Sequence, residues 1–65
     1  MKLYEYLENV SPDTMVRLDN GEGSIYFYGV VGEITDGKGS KYLDYNVLEH
    51  CFGKFGHEIL YISIA

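Results

Sequence analysis

The chain predicts an α+β fold in which a short N-terminal helix packs on a three- to four-stranded, mainly antiparallel sheet, all within a single small domain spanning residues 1–65. Three observations predict it. Leu3, Tyr6, Leu7 and Val10 fall at the i, i+3, i+4, i+7 spacing of one helix face. Ser24–Val31 and His57–Ile64 are runs of β-branched and aromatic residues of strand length. Glycine-rich turn clusters, Asp19–Gly23 and Gly53–Gly56, separate such runs at hairpin spacing.

Residues 2–10 form the predicted helix, with Lys2, Glu5, Glu8 and Asn9 on its polar side. Ser11-Pro12-Asp13 ends it, because proline offers no N–H and disfavours helix at the residue before it. A helix this short does not hold alone in water and must lie on the sheet. Thr14–Leu18 reads as the first strand, and the turn after it leads into Ser24–Val31 to make a hairpin. Within that second run Ile25, Phe27 and Val31 alternate with Tyr26, Tyr28 and Val30, so both faces are apolar. Two apolar faces predict a strand in the middle of a sheet. Residues 32–40 read as a polar, glycine-rich connection anchored by Ile34, and Tyr42 with Leu43 as a helical turn. Residues 46–56 fit two patterns. Val47, Leu48, Cys51, Phe52 and Phe55 make a helical stripe, giving a second helix at about 44–55. The glycines bracketing Lys54-Phe55 instead favour a strand, Val47–Phe52, turning into His57–Ile64; the hairpin is the preferred reading. In the last strand Leu60, Ile62 and Ile64 share one face, and Ile59 and Tyr61 the other.

A chain of 65 residues buries only about 60% of its unfolded surface, which leaves a thin core. Domains of this size draw on disulfides, a metal or a second subunit. Cys51 is the one cysteine, so no intrachain disulfide forms, and no zinc-type Cys/His spacing is present. Oligomerisation or partner binding is the remaining support. The formal net charge is −5. Direct nucleic-acid binding needs a basic footprint and is not expected; nor is attachment to an anionic membrane. No apolar run approaches the roughly 20 residues of a membrane span. The N-terminus carries no apolar leader stretch and the thiol is free, so the expected compartment is the cytoplasm.

Leu3-Tyr4-Glu5-Tyr6-Leu7, followed by Val10-Ser11-Pro12-Asp13-Thr14-Met15-Val16-Arg17-Leu18, resembles the opening of short proteins carried on phages and integrative elements of Gram-positive bacteria. Gly29–Ile34, Tyr42-Leu43-Asp44, Val47 and Leu60–Ile64 resemble the remainder of that pattern, so the similarity covers most of the chain. The resemblance implies a helix plus an antiparallel sheet and a mobile-element origin. It brings no catalytic residues.

Gly32-x-x-x-x-Gly37-Lys38 has the outline of a phosphate-binding loop. Gly39 occupies the position where a hydroxyl must follow the lysine to hold magnesium, and Glu33 and Asp36 would meet phosphate with like charge. A plain loop is the better reading. His50, Cys51 and His57 are the nucleophile and base candidates, but neighbours on a strand point to opposite faces and no orienting third group is readable. The carboxylates also lack the alternate-position spacing of a calcium loop. The chain is therefore read as a non-enzyme without catalytic residues, metal or cofactor.

Seven tyrosines in 65 residues stand out. Tyrosine is a good strand former, and it is also enriched at the centres of protein interfaces. One short helix covers one sheet face. If Val16, Leu18, Phe27 and Leu60 face it, then Tyr26, Tyr28 and Tyr61, with Met15, Val30 and Ile59, form an uncovered interaction face. Asp19, Glu22, Glu33, Asp36 and Asp44 would supply an acidic rim that docks on basic residues. The leading expectation is a protein-interaction module that binds a host protein or a second copy of itself, with inhibition of a host defence or nucleic-acid enzyme as its specific form. The alternative is an oligomer that sequesters a signalling nucleotide, with tyrosines stacking on the base and Arg17, Lys38 or Lys41 on phosphate.

Overall fold

In the computed structural model, which describes all 65 residues, α1 (Leu3–Leu7) is followed by the hairpin β1 (Met15–Asp19) and β2 (Ile25–Val30). The chain continues through α2 (Val31–Thr35) and a 3-10 turn (Ser40–Tyr42) to a second hairpin, β3 (Val47–Phe52) and β4 (Leu60–Ile64). The predicted α+β class is present, the N-terminal helix forms but ends at Leu7 rather than running on to Val10, and residues 47–52 form the strand rather than the alternative helix. The strands line up in the order β2-β1-β4-β3. Both hairpins are antiparallel, but β1 and β4 run parallel at the centre, so the sheet is mixed rather than purely antiparallel. The reason is the connection. Residues 31–46 carry the chain across one sheet face from the β2 edge to the far edge, so the second hairpin enters with its last strand beside β1.

Burial explains the order. Val16 and Leu18 in β1, and Leu60, Ile62 and Ile64 in β4, alternate with half-exposed residues, and all five are buried. They meet Leu3 and Leu7 of α1 and Val31 and Ile34 of α2 in one cluster. These two strands hold the core, so they lie inside. β2 lies at the edge of the sheet, contrary to the central place its two apolar faces predict. Ile25, Tyr26 and Tyr28 stay exposed, Val30 is half-buried, and Phe27 packs on the cluster.

The segment read as a loop contains α2. Val31 and Ile34, three apart, both turn into the core. Glu33 reaches back so that its carboxylate accepts from the Val30 N–H at 3.4 Å. Gly29 leaves room for this: a Cβ there would stand 3.0 Å from both Glu33 Oε1 and the Phe27 ring. The N-terminal segment is fastened to the start of β3, with the Leu3 N–H donating to the Tyr45 carbonyl and the Val47 N–H to the Met1 carbonyl, each at 2.8 Å. No helix is long and apolar enough to cross a membrane.

Candidate functional site: the open face of the sheet

Both helices and the 3-10 turn lie on one face of the sheet. The other face carries the alternate residues of every strand and has no layer over it. Register places Met15 opposite Val30 and Arg17 opposite Tyr28 across the first hairpin, and Arg17 beside Tyr61 across the parallel centre. Cys51 and Glu49 extend the same face opposite Tyr61 and Ser63.

Tyr61 is its centre. The Arg17 guanidinium lies over its ring, 5.6 Å from the centroid. Phe55 meets the ring edge-on at 6.1 Å and 86°. A groove of about 200 Å³ runs along one side of Tyr61, lined by Arg17, Ile25, Tyr28, His57 and Ile59. A second, about 220 Å³, lies on the other side and is lined in part by Asp19, Glu49, Cys51, Lys54 and Ser63. The first is mostly apolar around one cation; the second is lined mainly by polar and charged residues of both signs.

Two features of this face cost the fold stability. The Arg17 Nε is buried and has no hydrogen-bond partner. The nearest carboxylate in sequence, Asp19, is already engaged: its Oδ1 accepts from Ser63 Oγ at 2.7 Å and from the Gly21 N–H at 2.8 Å. The one ion pair of the chain, Lys38 with Glu33 at 3.2 Å, lies elsewhere. The second feature is Phe55. It is 75% exposed and sits at φ 61°, a left-handed conformation that costs a non-glycine residue about 1–3 kcal/mol. The turn between β3 and β4 therefore holds a large aromatic ring out over Tyr61 in a strained backbone.

Of the six residues expected on this face, Tyr28, Tyr61, Met15, Val30 and Ile59 lie on it together. Tyr26 does not. The pairing of β1 with β2 shifts register between Leu18 and Asp19, setting Phe27 opposite Leu18 but Ile25 opposite Asp19. Tyr26 is the extra residue of this bulge, and its side chain turns to the helical side. There its ring stacks on Tyr42 at 5.1 Å and 22° and meets Tyr45 edge-on at 5.9 Å. The same bulge brings Ile25 to the open face, against the strict alternation expected of it.

The five acidic residues do not form one rim. Asp19 and Glu22 lie at the β1–β2 turn, beside the open face. Glu33 lies in α2, Asp36 caps its C-terminal end and Asp44 follows the 3-10 turn, all in the layer behind the sheet. The Lys38 ammonium, and after it the Val30 N–H, hold the Glu33 carboxyl below its usual range. Lys38 is thereby engaged with Glu33, and Lys41 lies over the Tyr42 ring at 5.1 Å on the helical side. Neither reaches the open face with Arg17, as a nucleotide site would require.

The sequence pattern does not place Ile25, Phe55 or His57 on this face, and it offers Arg17 there as a phosphate contact of the nucleotide reading alone. The double-glycine turn Gly53-Lys54-Phe55-Gly56 is the one signal that marks Phe55, since both flanking glycines adopt positive φ, 80° and 77°. No three His, Cys, Asp or Glu side chains come together as metal ligands. His50 and Cys51 point to opposite faces: His50 lies against the Tyr6 ring at 4.9 Å, and Cys51 stands in the open-face groove. No protein-family model, curated protein or solved structure matches this chain.

Proposed function

We propose that this chain is a protein-interaction module that docks on a larger protein through the open sheet face. The observation that carries the reading is the combination at its centre: an arginine with a buried, unpartnered Nε stacked on Tyr61 and ringed by exposed Ile25, Tyr28 and Phe55. Aromatic residues and arginine in a desolvated cluster carry most of the energy of protein interfaces. A partner acceptor would bond the outer nitrogens of the Arg17 guanidinium, and partner apolar groups would cover Ile25, Tyr28 and Phe55. Net charge −5 steers the module toward a basic partner. With the resemblance to phage and integrative-element proteins, this favours inhibition of a host defence or nucleic-acid enzyme, inside the bacterial cell, as the specific form of the activity.

A photo-crosslinking amino acid at position 28, on the open face, tests this in a Gram-positive host cell. The expected result is one discrete adduct at position 28 that disappears when Arg17→Ala is added, and none with the crosslinker at position 4 on α1. Equal labelling from both positions, or none from position 28, overturns the reading.

A further inference from the structure

The two edges of the sheet differ in a way the open face does not require. On β2 the inward positions are fixed by the Val31 N–H, which bonds the Thr14 carbonyl, so Val30 points its N–H outward along the edge. That N–H is closed by the Glu33 carboxylate, and α2 starts at the next residue. At its Val30 end the β2 edge is therefore blunted by a charged side chain and a helix, a common defence against unwanted strand pairing.

The β3 edge is guarded at its start alone. Its start is occupied: the Val47 N–H bonds the Met1 carbonyl, and Lys2 pairs with Asn46. A register shift between Val47 and Glu49 then disturbs the ladder at Leu48. Beyond it the strand is regular. The Gly53 N–H bonds the Ile59 carbonyl, so Gly53, Cys51 and Glu49 face β4, while His50 and Phe52 point their N–H and carbonyl groups outward. Every residue from Leu48 to Phe52 is exposed, Leu48 at 58% and Phe52 at 62%. The strand contains no proline and no lysine.

We infer that β3 pairs with β3 of a second copy, antiparallel, about a two-fold axis at Cys51. The occupant follows from self-complementarity. His50 and Phe52 are the free outward-facing pair on a regular stretch, and the register centred on Cys51 is the one in which His50 of each copy exchanges both backbone bonds with Phe52 of the other. That register sets each Phe52 ring against the second copy's imidazole, on the side where Tyr6 already packs on His50. It sets Glu49 against Gly53, so no like charges are opposed. The two sheets become one, and the two open faces become one continuous surface. The dimer stands on the edge alone and holds whether or not the open face binds a partner.

Register also supplies the test. Cys51 of the two copies form a directly opposed, non-hydrogen-bonded pair with Cα atoms about 4.5 Å apart, inside the roughly 4.4–6.8 Å span of a disulfide. Light scattering after size exclusion should show a mass rising with concentration toward twice 7.4 kDa. Diamide, which takes up the two thiol hydrogens as the disulfide forms, should convert the chain to a covalent dimer. Phe52→Lys, an edge lysine at an exposed position, should return the protein to monomer and abolish the coupling while its far-ultraviolet circular dichroism is unchanged. A protein that stays monomeric at every concentration overturns the inference. So does a dimer whose Cys51 thiols fail to couple, or one that survives Phe52→Lys.

Discussion

The two faces of the sheet are built from the same strands and do opposite things. On the helical face β1 and β4 present Val16, Leu18, Leu60, Ile62 and Ile64, every one buried beneath α1 and α2. On the open face the same two strands present Arg17, Asp19, Tyr61 and Ser63, none of them fully buried. The helical face is apolar and closed. The open face mixes aromatic rings with charge and keeps an unsatisfied arginine nitrogen and a strained phenylalanine. One face holds the fold; the other carries features that cost stability.

The contrast is broken most directly from the closed side. Leu18→Ala removes a fully buried side chain from the centre of the core. It should cost about 2–5 kcal/mol, a large share of the roughly 5–15 kcal/mol that holds a typical domain together. Thermal melting should show a large drop or no cooperative transition.

Tyr26 and Tyr28 sharpen it. Alternation along the strand makes them equivalent; the bulge separates them. Tyr26→Ala loses the stack on Tyr42 and the edge contact with Tyr45, and should cost about 1 kcal/mol or more. Tyr28→Ala removes a ring that is 60% exposed. It should change stability by no more than about 0.5 kcal/mol yet weaken partner binding by about 2 kcal/mol, roughly thirtyfold in Kd. Urea denaturation and binding titration of the two variants would give opposite rankings.

Phe55→Gly relaxes the left-handed residue and should raise stability by up to about 1 kcal/mol while weakening partner binding. A variant that is both less stable and unimpaired in binding would remove Phe55 from the site.

The smallest effect lies behind the sheet. Because Lys38 and the Val30 N–H hold the Glu33 carboxyl low, its contribution is fully present above the ordinary carboxylate value of 4.5 and is lost as pH falls through the lower value in the folded chain. Glu33→Gln should flatten this part of the acid-side decline in melting temperature and leave the open face untouched.

These differences also show how far the residues alone reveal the molecule. The first hairpin, the second hairpin and the N-terminal helix follow from periodicity and turn chemistry, because Val16/Leu18 and Leu60/Ile62/Ile64 have one choice of face. Strand order does not follow from local pattern. The strand with two apolar faces went to the edge, because Ile25 and Tyr28 serve the open face while Tyr26 and Phe27 serve the helical one. α2 was hidden in a glycine-rich segment because just two residues, Val31 and Ile34, anchor it. Five of the six expected face residues lie together, since alternation holds past the bulge. The bulge that removes Tyr26 and adds Ile25 depends on how the turn at Asp19–Gly23 closes, with Asn20 Oδ1 accepting from the Glu22 N–H at 2.8 Å and from the Ser24 N–H at 3.1 Å. Arg17 was visible as a lone cation in a strand, but its importance lies in the absence of a partner, which is a property of three dimensions.

The most direct measurement is a titration of the isotopically labelled protein with the captured partner, followed by nuclear magnetic resonance. Shifts concentrated at Arg17, Tyr28, Phe55, Ile59 and Tyr61, with the Arg17 side-chain Nε–H among the largest, are the predicted result. Shifts confined to α1, α2 and the 3-10 turn, with the Arg17 signal unmoved, would contradict the assignment of the open face as the docking surface.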